Sequence, residues 1–335
     1  MTTLNKQALL GVHRNYRIFL NIMEISNKKE ILSIVVPVHN EEETIQIFYD
    51  TVEQLSDQLS ATIHYHFVDD GSTDQTSNIL KKLADENDRV HYTIFSRNFG
   101  KEAGLYAGLQ QADGNYVAVM DVDLQDPPEL LPEMLDGVRI GKFDAIGTRR
   151  ADRAGEAKLR SWFSEQFYVW INKISQTKFV DGARDYRVMT RQMVDAILSL
   201  SETQRFSKGI FSWVGFKTKY IAYENRERVA GSTSWSFWSL LKYAIEGIVS
   251  FSTVPLTVIT FLGCFSFLLS LISAFFIVLR ALIGNNSAAG WPSMVTIVLF
   301  IGGIQLLSLG VIGRYIAAIF LETKRRPIFI AKEEK

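Results

Sequence analysis

Two stretches without a single formal charge constrain this chain more than anything else in it. Neither residues 247–279 nor residues 281–313 contain an Asp, Glu, Lys or Arg. A helix crosses a bilayer with about 20 apolar residues, because every backbone polar group must be satisfied within the segment. The runs predict two membrane spans, 254–283 and 292–312, joined by the short uncharged connector GNNSAAGW. A buried helical hairpin in a soluble core is the other reading, and runs this long and apolar fit it poorly. Arg280 is the one charge between the runs, close to the connector, where its stem can snorkel to the interface.

The charges are placed elsewhere. The chain has 335 residues, with 36 Lys and Arg against 36 Asp and Glu. That balance argues against a general nucleic-acid binder. The tail from Arg314 onward carries Lys324, Arg325, Arg326, Lys332 and Lys335, whereas the connector carries no basic residue. The positive-inside rule then puts both termini in the cytoplasm. Residues 1–27 have no apolar core long enough for a signal peptide. The stretch HRNYRIFLNIMEI reads either as a basic interfacial helix or as an extension. The single cysteine, Cys264, lies in an apolar run, so there is no disulfide framework and no cysteine-based zinc site.

Residues 31–148 alternate between two patterns. Strands are predicted at 31–38, 62–70, 90–96, 116–123 and 143–149. Helices are predicted at 41–59, with acidic residues in the first turn, at 72–86, at 101–112, and after the Pro-Pro pair at 127–128. Such alternation means an α/β domain with a mostly parallel sheet covered on both faces. Ligands of such sheets bind beyond the carboxyl ends of the strands. The polar residues predicted there are His39, Asn40, Glu41, Asp69, Asp70, Arg97, Asn98, Asp121, Asp123, Arg149 and Arg150. Two aromatic-rich amphipathic segments, 156–176 and 235–250, suit a lipid interface, with core packing as the bland alternative.

The stretch VMDVDLQDPPE sets Asp121, Asp123 and Asp126 close together at a predicted strand end. Mutual repulsion would raise their pKa values unless a cation neutralised them, and a hard divalent ion such as Mg²⁺ or Mn²⁺ is the usual answer. On an extended backbone Asp121 and Asp123 would point the same way, one holding the metal while the other reaches metal or ribose. In VDDGSTD, Asp69 or Asp70 can accept hydrogen bonds from a base or ribose. Taken alone, that stretch is a plain Asp-Gly turn.

In order and spacing, SIVVPVHNEEETI, FVDDGSTDQT, SRNFGKEAGLYAGLQQADGNYVAVMDVDLQDPPELLPEM and GTRR resemble family 2 glycosyltransferases. More narrowly, LQDPPE, VDGARDYRVMTR, RERVAGSTSWSFWSLLKYAIEGIVSFSTVPL and the two terminal spans resemble the polyprenyl-phosphate glycosyltransferases. The resemblance implies a GT-A fold followed by a two-helix transmembrane hairpin. It implies inverting transfer of a sugar from a nucleotide-sugar, best matched by UDP-glucose, to undecaprenyl phosphate or a similar lipid. Such an enzyme would sit in a bacterial plasma membrane with its catalytic domain in the cytoplasm. By motif match, Pro37, Asn40, Glu41, Asp69 and Asp70 would bind the nucleotide. Asp121, Asp123 and Gln125 would hold the metal and diphosphate. Arg149 and Arg160 would bind the acceptor phosphate, and Arg228 would approach either phosphate group.

The implied division is an extension at 1–30, a catalytic domain at 31–230, an interface helix at 231–253, two membrane helices at 254–320 and a basic tail at 321–335. A homo-oligomer is compatible with the wide aromatic helices. One departure stands out: where many relatives carry a lysine after Gly231, this chain has Ser234. Two other readings compete, a processive polysaccharide synthase and a non-catalytic membrane scaffold. The first usually has more spans and a Gln-x-x-Arg-Trp motif that this sequence lacks; the second does not account for the acidic and basic strand ends.

Overall fold

The computed structural model describes residues 30–151, 169, 171–173, 175, 177–224, 245, 247–282 and 290–335. Arg160, Arg228, Ser234, most of both aromatic-rich segments and most of the connector lie outside the described residues.

Near-continuous apolar runs form the centre of the sheet. Strands β1 (Ile31–Val38), β2 (Thr62–Asp69), β3 (Val90–Phe95) and β4 (Tyr116–Val119) pair in parallel, with β1 between β4 and β2. Beyond β4 lie β5 (Ala145–Arg150), β6 (Ala183–Thr190) and β7 (Thr218–Tyr223). Strand β6 runs antiparallel to both β4 and β5, and β7 runs parallel to β5. At the opposite edge β8 (Ala331–Glu334) pairs antiparallel with β3. Among the described residues the order is β7-β5-β6-β4-β1-β2-β3-β8. The sheet is mostly parallel, as expected, and the two antiparallel insertions, β6 and β8, extend it beyond the predicted strands. The tail expected as a separate segment thus supplies an edge strand of the catalytic sheet.

The longer helices described beside the sheet include α1 (Ile45–Glu53), α2 (Thr76–Glu86), α3 (Lys101–Gln111), α4 (Leu131–Arg139), α5 (Arg191–Leu198) and α6 (Ser207–Trp213). Alternate side chains of β1 divide the core between the two faces. Ile34 and Val36 join Phe48 of α1, Leu80 of α2 and Met134 of α4. Val35 joins Leu105 and Leu109 of α3, Val194 of α5 and Phe211 of α6. Helix α3 lies unusually close to the sheet because Gly108 faces Val35: a Cβ on Gly108 would sit 2.3 Å from Val35 Cγ1.

Two boundaries that shape the rim differ from the sequence reading. Helix α1 starts at Ile45, so Glu41, Glu42 and Glu43 precede it and its first turn has no acidic residue. Asn40, at φ 55°, turns the chain first, and the Glu41 carbonyl accepts from the amides of Thr44 and Ile45. Strand β4 stops at Val119, so Asp121 and Asp123 lie in a turn and not on an extended strand. Leu124, at φ 53°, completes that turn, and Asp123 Oδ1 accepts from the Gln125 amide at 3.2 Å.

After the sheet come α7 (Val254–Leu282) and α8 (Trp291–Thr323). Their segments Val254–Ser273 and Phe300–Thr323 are long and apolar enough to cross a membrane, by length and composition. Phe261, Phe265, Leu306 and Leu307 are exposed along them. Helix α8 runs past residue 312 to Thr323, because a helix satisfies its own backbone whether or not the next residue is apolar. Its end is pinned: Glu322 Oε1 accepts from the Thr203 amide at 2.8 Å and the Gln204 amide at 3.3 Å.

Candidate active site

Parallel pairing brings the carboxyl ends of β1, β2, β3 and β4 to one rim. Because β6 is antiparallel, its amino end, with Arg184 and Asp185, reaches that same rim, and the carboxyl ends of β5 and β7 follow it. The loops after β1 and β2 are tied together. The Asn40 amide donates to Ser72 Oγ at 2.8 Å, and Asn40 Oδ1 accepts from the Thr73 amide at 2.8 Å. The Glu41 amide donates to Thr76 Oγ1 at 2.9 Å. Pro37 is half-buried against Gly104 of α3.

Asp69 and Asp70 are both buried and both organise loops. Asp69 accepts from the Ser72 amide at 2.9 Å and from the Ser77 hydroxyl. Asp70 accepts from the Phe99 amide at 2.6 Å and the Gly100 amide at 2.8 Å. Burial raises the Asp70 pKa, and those two amides work against the rise. In this structure both carboxylates serve the loops: Asp69 has no exposed surface and Asp70 is 4% exposed.

The three carboxylates of the Asp121 turn have different surroundings. Asp121 is met by Lys101, whose Nζ lies 2.7 Å from Asp121 Oδ1 and 2.7 Å from Asp185 Oδ2. Desolvation works against the charge on Lys101, but the two carboxylates outweigh it and hold its pKa above the usual lysine value. Desolvation alone would likewise raise the Asp185 pKa. Lys101 and Lys208 reverse the sign and keep it below the usual carboxylate range. Asp126 is buried, 3.0 Å from Arg184 Nε, and accepts from the Tyr223 hydroxyl. Burial, then the Asp126 charge, pushes the Tyr223 pKa up to about 12. Asp126 is therefore a packed part of the wall. Asp123, 8% exposed, shares its turn with Gln125, whose Oε1 lies 3.5 Å from Arg184.

Arg149 is exposed at the end of β5, opposite Ala183 and Ala222 in register. The structure thus brings Pro37, Asn40, Glu41, Asp69, Asp70, Asp121, Asp123, Gln125 and Arg149 to loops or strand ends on one rim. Arg160 and Arg228 lie outside the described residues.

Comparison with known proteins shows the family of the chain. The sequence pattern of Glycosyl transferase family 2 matches residues 33–198. A bactoprenol glucosyl transferase of Shigella phage SfV is 41% identical over 304 residues, covering 91% of this chain and 99% of that protein. The chain belongs to glycosyltransferase family 2. A putative glycosyltransferase of Bacillus subtilis, CsbB, is also 41% identical, covering 91% of this chain and 92% of its own length. Among solved structures, a Pyrobaculum calidifontis mannosyltransferase in complex with GDP-Man and Mn²⁺ covers 89% of this chain and 87% of its own, at 14% identity and a TM-score of 0.45.

In this glycosyltransferase, Lys101, Arg184 and Asp185 are rim residues to which sequence reasoning gave no role. All three lie in motifs that carried the resemblance, FGKEAG and GARDYR. The missing signal was the direction of β6, which nothing in its composition reveals. Asp121, Asp123 and Gln125 carry oxygens on one turn, and oxygen is the donor type that Mg²⁺ or Mn²⁺ takes. Among the described residues no three His, Cys, Asp or Glu side chains are grouped so as to hold a metal ion.

Proposed function

We propose that this glycosyltransferase moves glucose from UDP-glucose to undecaprenyl phosphate or a similar polyprenyl phosphate, with inversion at the sugar carbon. The observation that carries the reading is the similarity to a bactoprenol glucosyl transferase over nearly its full length, spanning both the rim and the two apolar helices. Asn40, Glu41, Asp69 and Asp70 would hold the nucleoside. Asp121, Asp123 and Gln125 would hold Mg²⁺ or Mn²⁺, which supplies positive charge to the diphosphate leaving group.

The chemistry fits the residues. A phosphate oxygen of the acceptor attacks the anomeric carbon, the bond from that carbon to the diphosphate oxygen breaks, and UDP leaves with the electron pair. The nucleophile is already anionic near neutral pH, so no strong base is needed. Countercharge is needed instead, because two anionic groups must approach. Arg149 offers a planar fork that matches phosphate geometry, and Arg160 and Arg228 would join it. In this reading the two apolar helices would anchor the rim near a membrane surface, with both termini and the catalytic domain on the cytoplasmic side of a bacterial plasma membrane.

The test is a donor screen with membranes containing the enzyme, undecaprenyl phosphate and, separately, UDP-glucose, UDP-N-acetylglucosamine, UDP-galactose and GDP-mannose. The expected product is one hexose on the lipid phosphate, seen by mass from UDP-glucose. A polymer, or a product from another donor alone, would overturn this reading.

A further inference from the structure

The segment after α8 turns back onto the catalytic sheet, and its contacts point inward. Main-chain bonds run from the Ser96 amide to the Ile330 carbonyl at 2.9 Å and between Tyr92 and Lys335 at 3.0 and 3.1 Å. Ion pairs Lys81–Glu333 at 2.6 Å and Lys335–Asp85 at 2.7 Å fix the register. These pairs are partly exposed and each is worth little. The more specific contact is aromatic. Phe329 stacks on Phe95 at 4.9 Å, and Phe95 meets Phe99 edge-on at 5.7 Å. Together with Ile328 they close a small core against Val68, Ala103 and Ala107.

Phe99 is also the residue whose amide reaches Asp70 at 2.6 Å, beside the Gly100 amide at 2.8 Å. On its other side the 96–100 loop has no slack. A Cβ on Gly71 would lie 2.5 Å from the Arg97 carbonyl carbon and 2.8 Å from the Asn98 nitrogen. The loop is held between the Asp70 turn and the returning tail, and it leads directly into α3, whose first residue is Lys101.

We propose that residues 327–335 are a positioning element for the donor site. Phe329, acting through Phe95 and Phe99, holds the 96–100 loop where its amides fix the Asp70 carboxylate. This rests on the reading that Asp70 belongs to the nucleoside site. The element begins a few residues after Glu322, which pins the end of α8 to Thr203 and Gln204. Donor binding is thereby coupled to the chain that leaves the apolar hairpin.

The experiment uses the full-length enzyme in detergent or nanodiscs, with UDP binding measured by calorimetry and Michaelis constants measured separately for donor and lipid phosphate. Phe329→Ala should weaken UDP binding and raise the donor constant by about tenfold, within the range that misplacing a binding group from outside the site produces. The lipid-phosphate constant should stay unchanged, and Phe329→Leu should keep most of the affinity. An enzyme ending at residue 326 should recover UDP binding as the peptide PIFIAKEEK is added. Unchanged UDP binding in Phe329→Ala, or equal loss for donor and acceptor, would overturn the proposal. Asp70→Asn separates the two readings: if it leaves UDP binding intact, the nucleoside assignment fails on its own. Hydrogen exchange at the Phe99 and Gly100 amides then reports the hold directly. Lost protection in Phe329→Ala supports it, and retained protection refutes it.

Discussion

Lys101 Nζ bridges Asp121 Oδ1 and Asp185 Oδ2 at 2.7 Å each, so one ammonium joins the turn after β4 to the amino end of β6. Much of the rim's charge balance depends on that contact. Removing the ammonium would leave two carboxylates facing each other with less to offset their repulsion.

Lys101→Met should therefore lower turnover by about one to two decades, the range for losing a charge-assisted contact of roughly 1.5–3 kcal/mol. Initial rates at saturating donor and lipid phosphate check this. A variant within twofold of the parent would mean that the bridge is only a surface ion pair.

Asp123 and Asp126 sit on one turn but should fail differently. Asp123→Asn should abolish turnover with little change in the melting midpoint. Arg184→Met leaves the buried Asp126 carboxylate without its guanidinium and should cost about 3–5 kcal/mol of stability. Thermal melts of the two purified variants, compared with their rates, separate a ligand-facing carboxylate from a wall-forming one.

Arg149 should act on the acceptor alone. An ammonium cannot reproduce the two parallel hydrogen bonds of a guanidinium, so Arg149→Lys and Arg149→Ala should both raise the Michaelis constant for lipid phosphate or lower turnover, by about one to two decades. UDP affinity should hardly move. Equal loss of donor affinity would assign Arg149 to the diphosphate instead.

Stability should depend on pH through His66. Its ring bonds Ser33 Oγ at 3.1 Å, lies 3.6 Å from Asp113 and stacks on His91 at 5.1 Å, with His64 beside Asp113. Burial, then the His91 charge, lowers its pKa to about 4, with Asp113 opposing. An unfolded histidine titrates near about 6.5, so between these values the unfolded chain binds more protons. The contribution is complete above about pH 6.5 and is lost as pH falls toward 4. Its size is on the order of 3 kcal/mol. Denaturant midpoints across that window should slope for the parent and flatten for His66→Gln.

The parallel half of the sheet was legible because β1 is a near-continuous apolar run, apolar residues recur along β2, and the residues after both strands are polar. The hairpin was legible from its missing charges. What was not legible depended on contacts between distant segments. Nothing local says that the strand carrying Asp185 runs backwards, that Lys101 reaches across to it, or that AKEE pairs with β3. Repulsion among Asp121, Asp123 and Asp126 correctly announced a need for positive charge. The sequence could not say that Arg184 answers for Asp126 and Lys101 for Asp121, because 58 and 20 residues separate those pairs.

Strand β8 also sets an order of events in biosynthesis. It is translated after both apolar helices, so the catalytic sheet cannot close its β3 edge until the hairpin has been made. Domains form from the amino end as the chain emerges, and an unpaired edge is a template for wrong partners. A nascent chain whose hairpin stalls at the membrane would carry an open edge beside β3. Completion of the fold thereby reports that both helices have been delivered.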